Sequence, residues 1–294
     1  MVLKYIIKST DTYLNVKEVL KAYFGISERL LLRLKNNKNI LLNNEPTYVS
    51  KEVVSGDEIQ VLIDFIEDNS NIVPTKIDLD TIYEDDCYLV VNKAPNMAIH
   101  PSMLHYDTSL SNGIKYYFDS INLKKKIRPV NRLDKDTSGL VVFAKNEYIQ
   151  ECLVNQMKSK DMKKTYIAIC EGIFEEKQST INLPIARKPG SIIERYVDSS
   201  GDQAITHYEV LKEQNNISVV KCTLETGRTH QIRVHLSHIG HPILGDTLYG
   251  KKYVGITRQL LHAYKLEFIH PITKENVSYI APIPDDFKQF IDQA

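Results

Sequence analysis

The sequence has no closely spaced cysteine pair and no excess of charge of either sign. Its four cysteines, Cys87, Cys152, Cys170 and Cys222, lie far apart with no CxxC spacing. That excludes a disulfide framework or a thiolate zinc site and reads as reduced thiols in a cytoplasmic protein. Lys+Arg and Asp+Glu both total 37, so no global field draws the chain to a polyanion. Any nucleic-acid contact must come from a local patch. No stretch approaches the roughly 18 apolar residues of a membrane span. The opening MVLKYIIKSTDTY has no apolar signal region. Internal repeats and low-complexity tracts are missing too. What remains is an ordinary core-forming composition, 43% hydrophobic over 294 residues, with room for two domains.

Residues 1–66 read as a small unit. NVKEVLKAYF sets Val16, Val19, Leu20 and Tyr23 at helical spacing, and Gly25 follows where that helix would stop. Ser27 is placed to cap the next helix, SERLLLRLKNNKNI, whose Leu30, Leu31 and Leu34 share one side. Arg29, Arg33, Lys35 and Lys38 put positive charge on or just beyond it. ILLNNEP and DEIQVLIDF read as short strands, with Asn43-Asn44 as a turn signal. The polar stretch 67–76 is the expected linker. In 77–294 the runs CYLVVNK, LVVFAK, TYIAICEG, THYEVL and ISVVKCTLE are expected as strands, several of them covered on both faces. Helices are expected near SLSNGIKYYF and EYIQECLVNQMKS, and in THQIRVHLSHIG up to Gly240. This order lacks regular βαβα alternation, which favours an α+β fold.

The stretch RPVNRLDKDTSGLVVFAKN, residues 128–146, admits two chemistries. Asp134, Asp136, Ser138 and Gly139 have the alternating oxygens and sharp turn that open a calcium loop. Such a loop needs a bidentate Glu at its twelfth position. Counting from Asp134, that position holds Lys145, whose ammonium repels the ion, and LVVFA continues as a strand. The other reading keeps Asp134 as a single carboxylate at the mouth of a buried strand, held on a rigid element yet open to substrate. Composition alone leaves a third reading, in which Asp134 merely caps the turn.

Longer motifs decide between them. RPVNRLDKDTSGLVVFAKN resembles the signature segment of the RluA family of RNA pseudouridine synthases, whose core is RLD-x-x-TSG followed by an apolar strand. IYEDDCYLVVNKAPNMAIHPS resembles that family's first catalytic strand pair, KKTYIAICEG its second motif, LETGRTHQIRVHLSHIGHPILGDTLYG its third and LLHAYKLEFIHPIT its closing one. The resemblance runs in order over roughly residues 77–285. It implies a catalytic domain with a mixed, largely antiparallel central sheet flanked by helices. It also implies an isomerase that breaks the C1′–N1 bond of a uridine, turns the base and rejoins it through C5. No cofactor and no metal are implied, since the reaction has no net redox change.

By the same resemblance Asp134 is the essential carboxylate. It acts as a nucleophile, or it stabilises a cationic sugar and removes a proton. Tyr166 is the active-site tyrosine, stacking on the turned-out uracil with its hydroxyl a candidate acceptor for the C5 proton. Arg233 pairs with Asp134, and Arg132 fills the gap left by the flipped base. Lys163, Lys164, Arg228 and His230 are expected to contact RNA. His230, His235, His238 and His241 lack the carboxylate or thiolate that would complete a zinc set. Two departures stand out: Asn131 replaces the usual His before RLD, and NKAPN replaces the Lys-Pro-x-Gly order. They are expected to alter loop support while keeping catalysis.

Residues 12 to about 63 resemble the S4 RNA-binding domain, through GIS opening the basic second helix, LLNNE, and SKEVVSGDEIQV. Phosphate contacts from Arg29, Arg33, Lys35 and Lys38 would then give salt-dependent affinity for structured RNA, ribosomal RNA first. A monomer is expected, with no membrane association. The leading reading is an RNA pseudouridine synthase. A non-enzyme reading is an RNA-binding assembly factor that kept the fold without turnover, and a glycoside hydrolase is a third. The retained Asp134, Tyr166 and Arg233 argue against the second, and the lack of a matching second carboxylate against the third.

Overall fold

The computed structural model describes residues 1–67, 69–103 and 105–291. The N-terminal unit is a four-stranded antiparallel sheet in the order β1-β4-β2-β3, covered by two helices. Its elements are β1 (Val2–Ile6), α1 (Val16–Ala22), α2 (Glu28–Asn36), β2 (Ile40–Leu42), β3 (Glu45–Pro46) and β4 (Glu58–Leu62). Asn15 caps α1 by accepting the Glu18 amide, and Ser27 caps α2 by accepting the Leu30 amide, as its position suggested. Leu30, Leu31 and Leu34 are buried on one side of α2. Asn43 and Asn44, with φ of 53° and 70°, make the two-residue left-handed turn that joins β2 to β3.

The remainder is one ten-stranded mixed sheet with a separate hairpin. Its elements begin with β5 (Thr81–Glu84), β6 (Tyr88–Lys93), α3 (Leu110–Ser120), β7 (Arg128–Pro129), β8 (Ser138–Ala144) and α4 (Glu147–Lys158). Next come β9 (Lys163–Glu171), β10 (Gln178–Asn182), the hairpin strands β11 (Ile185–Arg187) and β12 (Arg195–Val197), β13 (Ile205–Gln214) and β14 (Ile217–Leu224). Last are α5 (Gln231–His238), β15 (Leu261–Ile269), β16 (Asn276–Ile280) and α6 (Asp285–Ile291). The main path runs β10-β13-β14-β9-β15-β8-β6-β5, with β16 beside β15 and β7 beside β8. Pairings are antiparallel except β15 with β8. The fold is α+β.

The central strands are covered on both faces, and the period of two shows it. Leu89 and Val91 of β6 join Val141 and Phe143 of β8 and face Ile114 and Phe118 of α3. Tyr88, Val90, Leu140 and Val142 join the opposite cluster, with Tyr148, Ile149 and Leu153 of α4. That second cluster is continuous with the core of the N-terminal unit. Polar ties run across the same seam: Ser27 donates to Glu151 at 2.6 Å, and Tyr148 donates to the Phe24 carbonyl at 3.0 Å. Glu67, in the stretch read as linker, is nearly buried and accepts from Arg128 at 2.6 and 2.7 Å and from Arg33 at 2.9 Å. No helix among the described residues is long and apolar enough to cross a membrane.

Candidate active site

Asp134 sits in the turn between β7 and β8, on the wall of an open cleft of about 1030 Å³. β8 begins at Ser138, four residues after Asp134. Gly139 has φ of 113°, and a Cβ there would lie 2.3 Å from the Ala263 carbonyl of β15, so only glycine allows this parallel approach. The turn is gripped through its backbone. Thr137 N–H donates back to the Asp134 carbonyl. The buried Lys93 ammonium donates to the carbonyls of Lys135 at 2.8 Å, Ala94 at 2.7 Å and Met97 at 3.0 Å. Burial pulls Lys93 down to about 7, against the attraction of Asp136. Arg258 donates to the Asp136 carbonyl at 3.1 Å and is itself held by Asp286. Asp136 therefore serves the turn through its backbone.

Arg233, on the buried first turns of α5, donates from Nη1 to Asp134 Oδ2 at 3.0 Å. Its Nε and Nη2 are taken by Asp246, at 2.6 and 2.9 Å. Burial acts against the guanidinium charge, but the Asp246 and Asp134 carboxylates outweigh it and Arg233 holds its proton more firmly than a free arginine. Asp246 is 1% exposed and also accepts the backbone N–H groups of Leu248 and Tyr249. His230 Nε2 lies 3.8 Å from Asp134 Oδ2, beyond hydrogen-bond distance. Tyr166 of β9 lines the same cleft. Burial raises its hydroxyl well above the ordinary value, and the charge of Asp134 adds to the rise, so it is a neutral phenol at physiological pH.

The cleft also gathers expected RNA contacts. Arg132 and Arg228 are exposed on its rim and Lys164 is half-buried in its wall. Arg228 is steadied by the Gln203 carbonyl at 3.0 Å. Lys158, Arg187 and Arg195 line it as well, giving a local basic patch on a chain of zero net charge. Lys163 is exposed at the start of β9 and does not line the cleft. Arg29, Lys35 and Lys38 are exposed on or just past α2, away from the cleft. Arg33 does not join them. It pairs with Glu67 and Glu147, each at 2.9 Å, and lies over the Phe65 ring at 3.9 Å, so its charge is spent on the seam between the units.

Asn131 is buried and bridges β8: its Nδ2 donates to Leu140 O and its Oδ1 accepts from Val142 N, both at 2.9 Å. Asn96 takes the left-handed conformation, φ 57°, where the family order has glycine. Asp246, Arg195, Lys93 and Arg258 were missed in the sequence. Asp246 lies within the third motif, but no local pattern marks it as the anchor of Arg233. Asp85, Cys87 and His270 bring possible metal ligands within 4.8 Å of one another. Their polar atoms are largely committed: Asp85 accepts from Cys87 N, Tyr88 N and His270 Nε2, and His270 Nδ1 accepts from Ile272 N and Thr273 N. His235 is likewise engaged, with Thr206 and the Leu183 carbonyl.

The RNA pseudouridylate synthase family model matches residues 87–238. The RNA pseudouridine synthase YjbO of Bacillus subtilis is 38% identical over 268 residues, covering 91% of this chain and 95% of that one. The ribosomal large subunit pseudouridine synthase D of Neisseria meningitidis serogroup A is 38% identical over 274 residues, covering 88% and 72%. Among solved structures, human RNA pseudouridylate synthase domain containing 1 superposes with a TM-score of 0.59 at 28% identity, covering 70% of this chain and 83% of that one. The chain belongs to the RNA pseudouridylate synthase family, isomerases that act on RNA.

Proposed function

We propose that this synthase isomerises uridines of large-subunit ribosomal RNA, with Asp134 as its catalytic carboxylate. The observation that carries the reading is the 3.0 Å ion pair between Arg233 and Asp134 in a basic cleft that Tyr166 also lines. A single carboxylate held by a guanidinium can face the C1′ of a nucleotide turned out of its stack, and the pairing fixes its direction of approach. Arg132, exposed at the rim, enters the gap the base leaves, offsetting the few kcal/mol of stacking lost. Tyr166 stacks on the uracil and, as a neutral phenol, donates a hydrogen bond.

The choice of ribosomal RNA is supported by the relatives named for large-subunit modification. Residues 1–66 act as an S4-like RNA-binding unit, with Arg29, Lys35 and Lys38 on phosphates, and 77–294 as the catalytic unit. The test is to map pseudouridines in cellular RNA with and without the gene, then restore it as wild type or as Asp134→Asn. Loss of defined large-subunit sites, recovered by wild type and not by Asp134→Asn, is expected. No lost site would move the reading to an assembly factor, and an active Asp134→Asn would remove the catalytic assignment.

A further inference from the structure

Two groups approach the Asp134 carboxylate, and one turn stands behind both. Asp246 clamps Arg233 from behind. Three residues further on, the Tyr249 hydroxyl lies 2.8 Å from His230 Nδ1. The same hydroxyl oxygen accepts the Arg195 backbone N–H at 2.9 Å. The phenol keeps one proton to give to Nδ1, which accepts it when the ring proton sits on Nε2. Nε2 is the nitrogen that faces Asp134 Oδ2. The opposite tautomer would set a nitrogen lone pair against a carboxylate oxygen.

We propose that Tyr249 is a positioning residue that fixes His230 as its Nε2–H tautomer, so that a neutral donor faces Asp134. The backbone makes His230 a poor candidate for free adjustment: it has φ of 58° at the N-terminus of α5, a conformation that persists only where its surroundings hold it. The Tyr249 ring packs edge-on against the imidazole, with centroids 5.6 Å apart. Burial favours the uncharged ring, lowering His230 despite the neighbouring Asp134. Arg195, whose amide completes the set, opens β12, and its hairpin lines the cleft through Arg187 and Arg195. Tyr249 therefore ties the tautomer beside Asp134 to the hairpin that lines the cleft.

The inference rests on Asp134 being the catalytic carboxylate, and its test reads the tautomer apart from turnover. With histidine labelled by ¹⁵N, the signals of His230 among the nine histidines are assigned by their loss in His230→Gln. Unreacted wild type at neutral pH is expected to show a protonated Nε2 and a bare Nδ1. Tyr249→Phe is expected to average the two nitrogen shifts and to lower kcat about tenfold with KM for RNA unchanged. In a His230→Gln background, Tyr249→Phe should add no further loss. A protonated Nδ1 in wild type overturns the proposal even if the variant fails to fold. So does a folded Tyr249→Phe with unchanged shifts and kcat. An active Asp134→Asn would instead remove the underlying reading and leave the tautomer result standing.

Discussion

At Asn131 a side chain does the work of a neighbouring strand, presenting one donor and one acceptor to β8 just where that strand leaves the Asp134 turn. Asn131→Ala leaves a buried carbonyl and a buried amide unpaired and should cost about 3 kcal/mol in denaturant unfolding, with reduced turnover. Asn131→His, which keeps one donor and one acceptor, should fall within about 1 kcal/mol of wild type. Tyr166 yields a second residue-scale prediction. A phenolate base with so raised a value would give a rate climbing about tenfold per pH unit above neutrality. A neutral donor leaves kcat flat from about pH 7 to 9, with Tyr166→Phe binding RNA and losing turnover at every pH. Stopped-assay pH profiles separate the two. Asp134, Tyr166 and Arg233 were legible as candidates because each lies inside a contiguous motif, and all three line one cleft. The Asp246 clamp was not, because its partner is set by how the turn folds back on α5, which spacing does not reveal.

Among the elements, strands whose apolar runs are uninterrupted could be read directly, as with β6, β8 and β9. β15 could not, although it holds the centre of the sheet, because polar residues break its pattern. One of them, His262, is 0% exposed and lies 3.0 Å from Ser138 Oγ across the parallel β15–β8 pair. Burial, with the nearby charge of Arg258, pulls His262 from 6.5 down to about 4. The unfolded chain takes up this proton below pH 6.5 while the folded chain resists until about 4, so stability is present above 6.5 and is lost as pH falls through that window. The loss should total about 3 kcal/mol. Thermal unfolding of His262→Asn should be less stable at neutral pH and distinctly flatter between those limits. An equal acid slope in both proteins would place the acid sensitivity elsewhere.

For the whole molecule, the important relation is that the N-terminal unit is packed on the ten-stranded sheet through a shared apolar cluster and a buried charge node. A polar composition suggested a plain linker at 67–76, since nothing in the sequence ties Glu67 to Arg33 and Arg128. Burial opposes the Glu67 charge, yet the two arginines pull its carboxyl down to about 2. Removing it strands the Arg128 guanidinium and leaves Arg33 with Glu147 alone, so Glu67→Gln should destabilise by about 3 kcal/mol. Truncating the unit would also uncover Tyr148, Ile149 and Leu153, which makes deletion a poor probe of RNA affinity. Charge removal on the exposed side is cleaner. Replacing Arg29, Lys35 and Lys38 by Gln should weaken RNA binding and reduce the salt dependence of log K by about 2 to 3, with far less effect on turnover at saturating RNA. Arg33→Gln should do the reverse, lowering the melting temperature and leaving the salt slope near that of wild type, because its charge already faces Glu67 and Glu147. If Arg33→Gln instead lowers the slope as much as the outer three do together, the seam opens on RNA and the docked arrangement is not the one that binds.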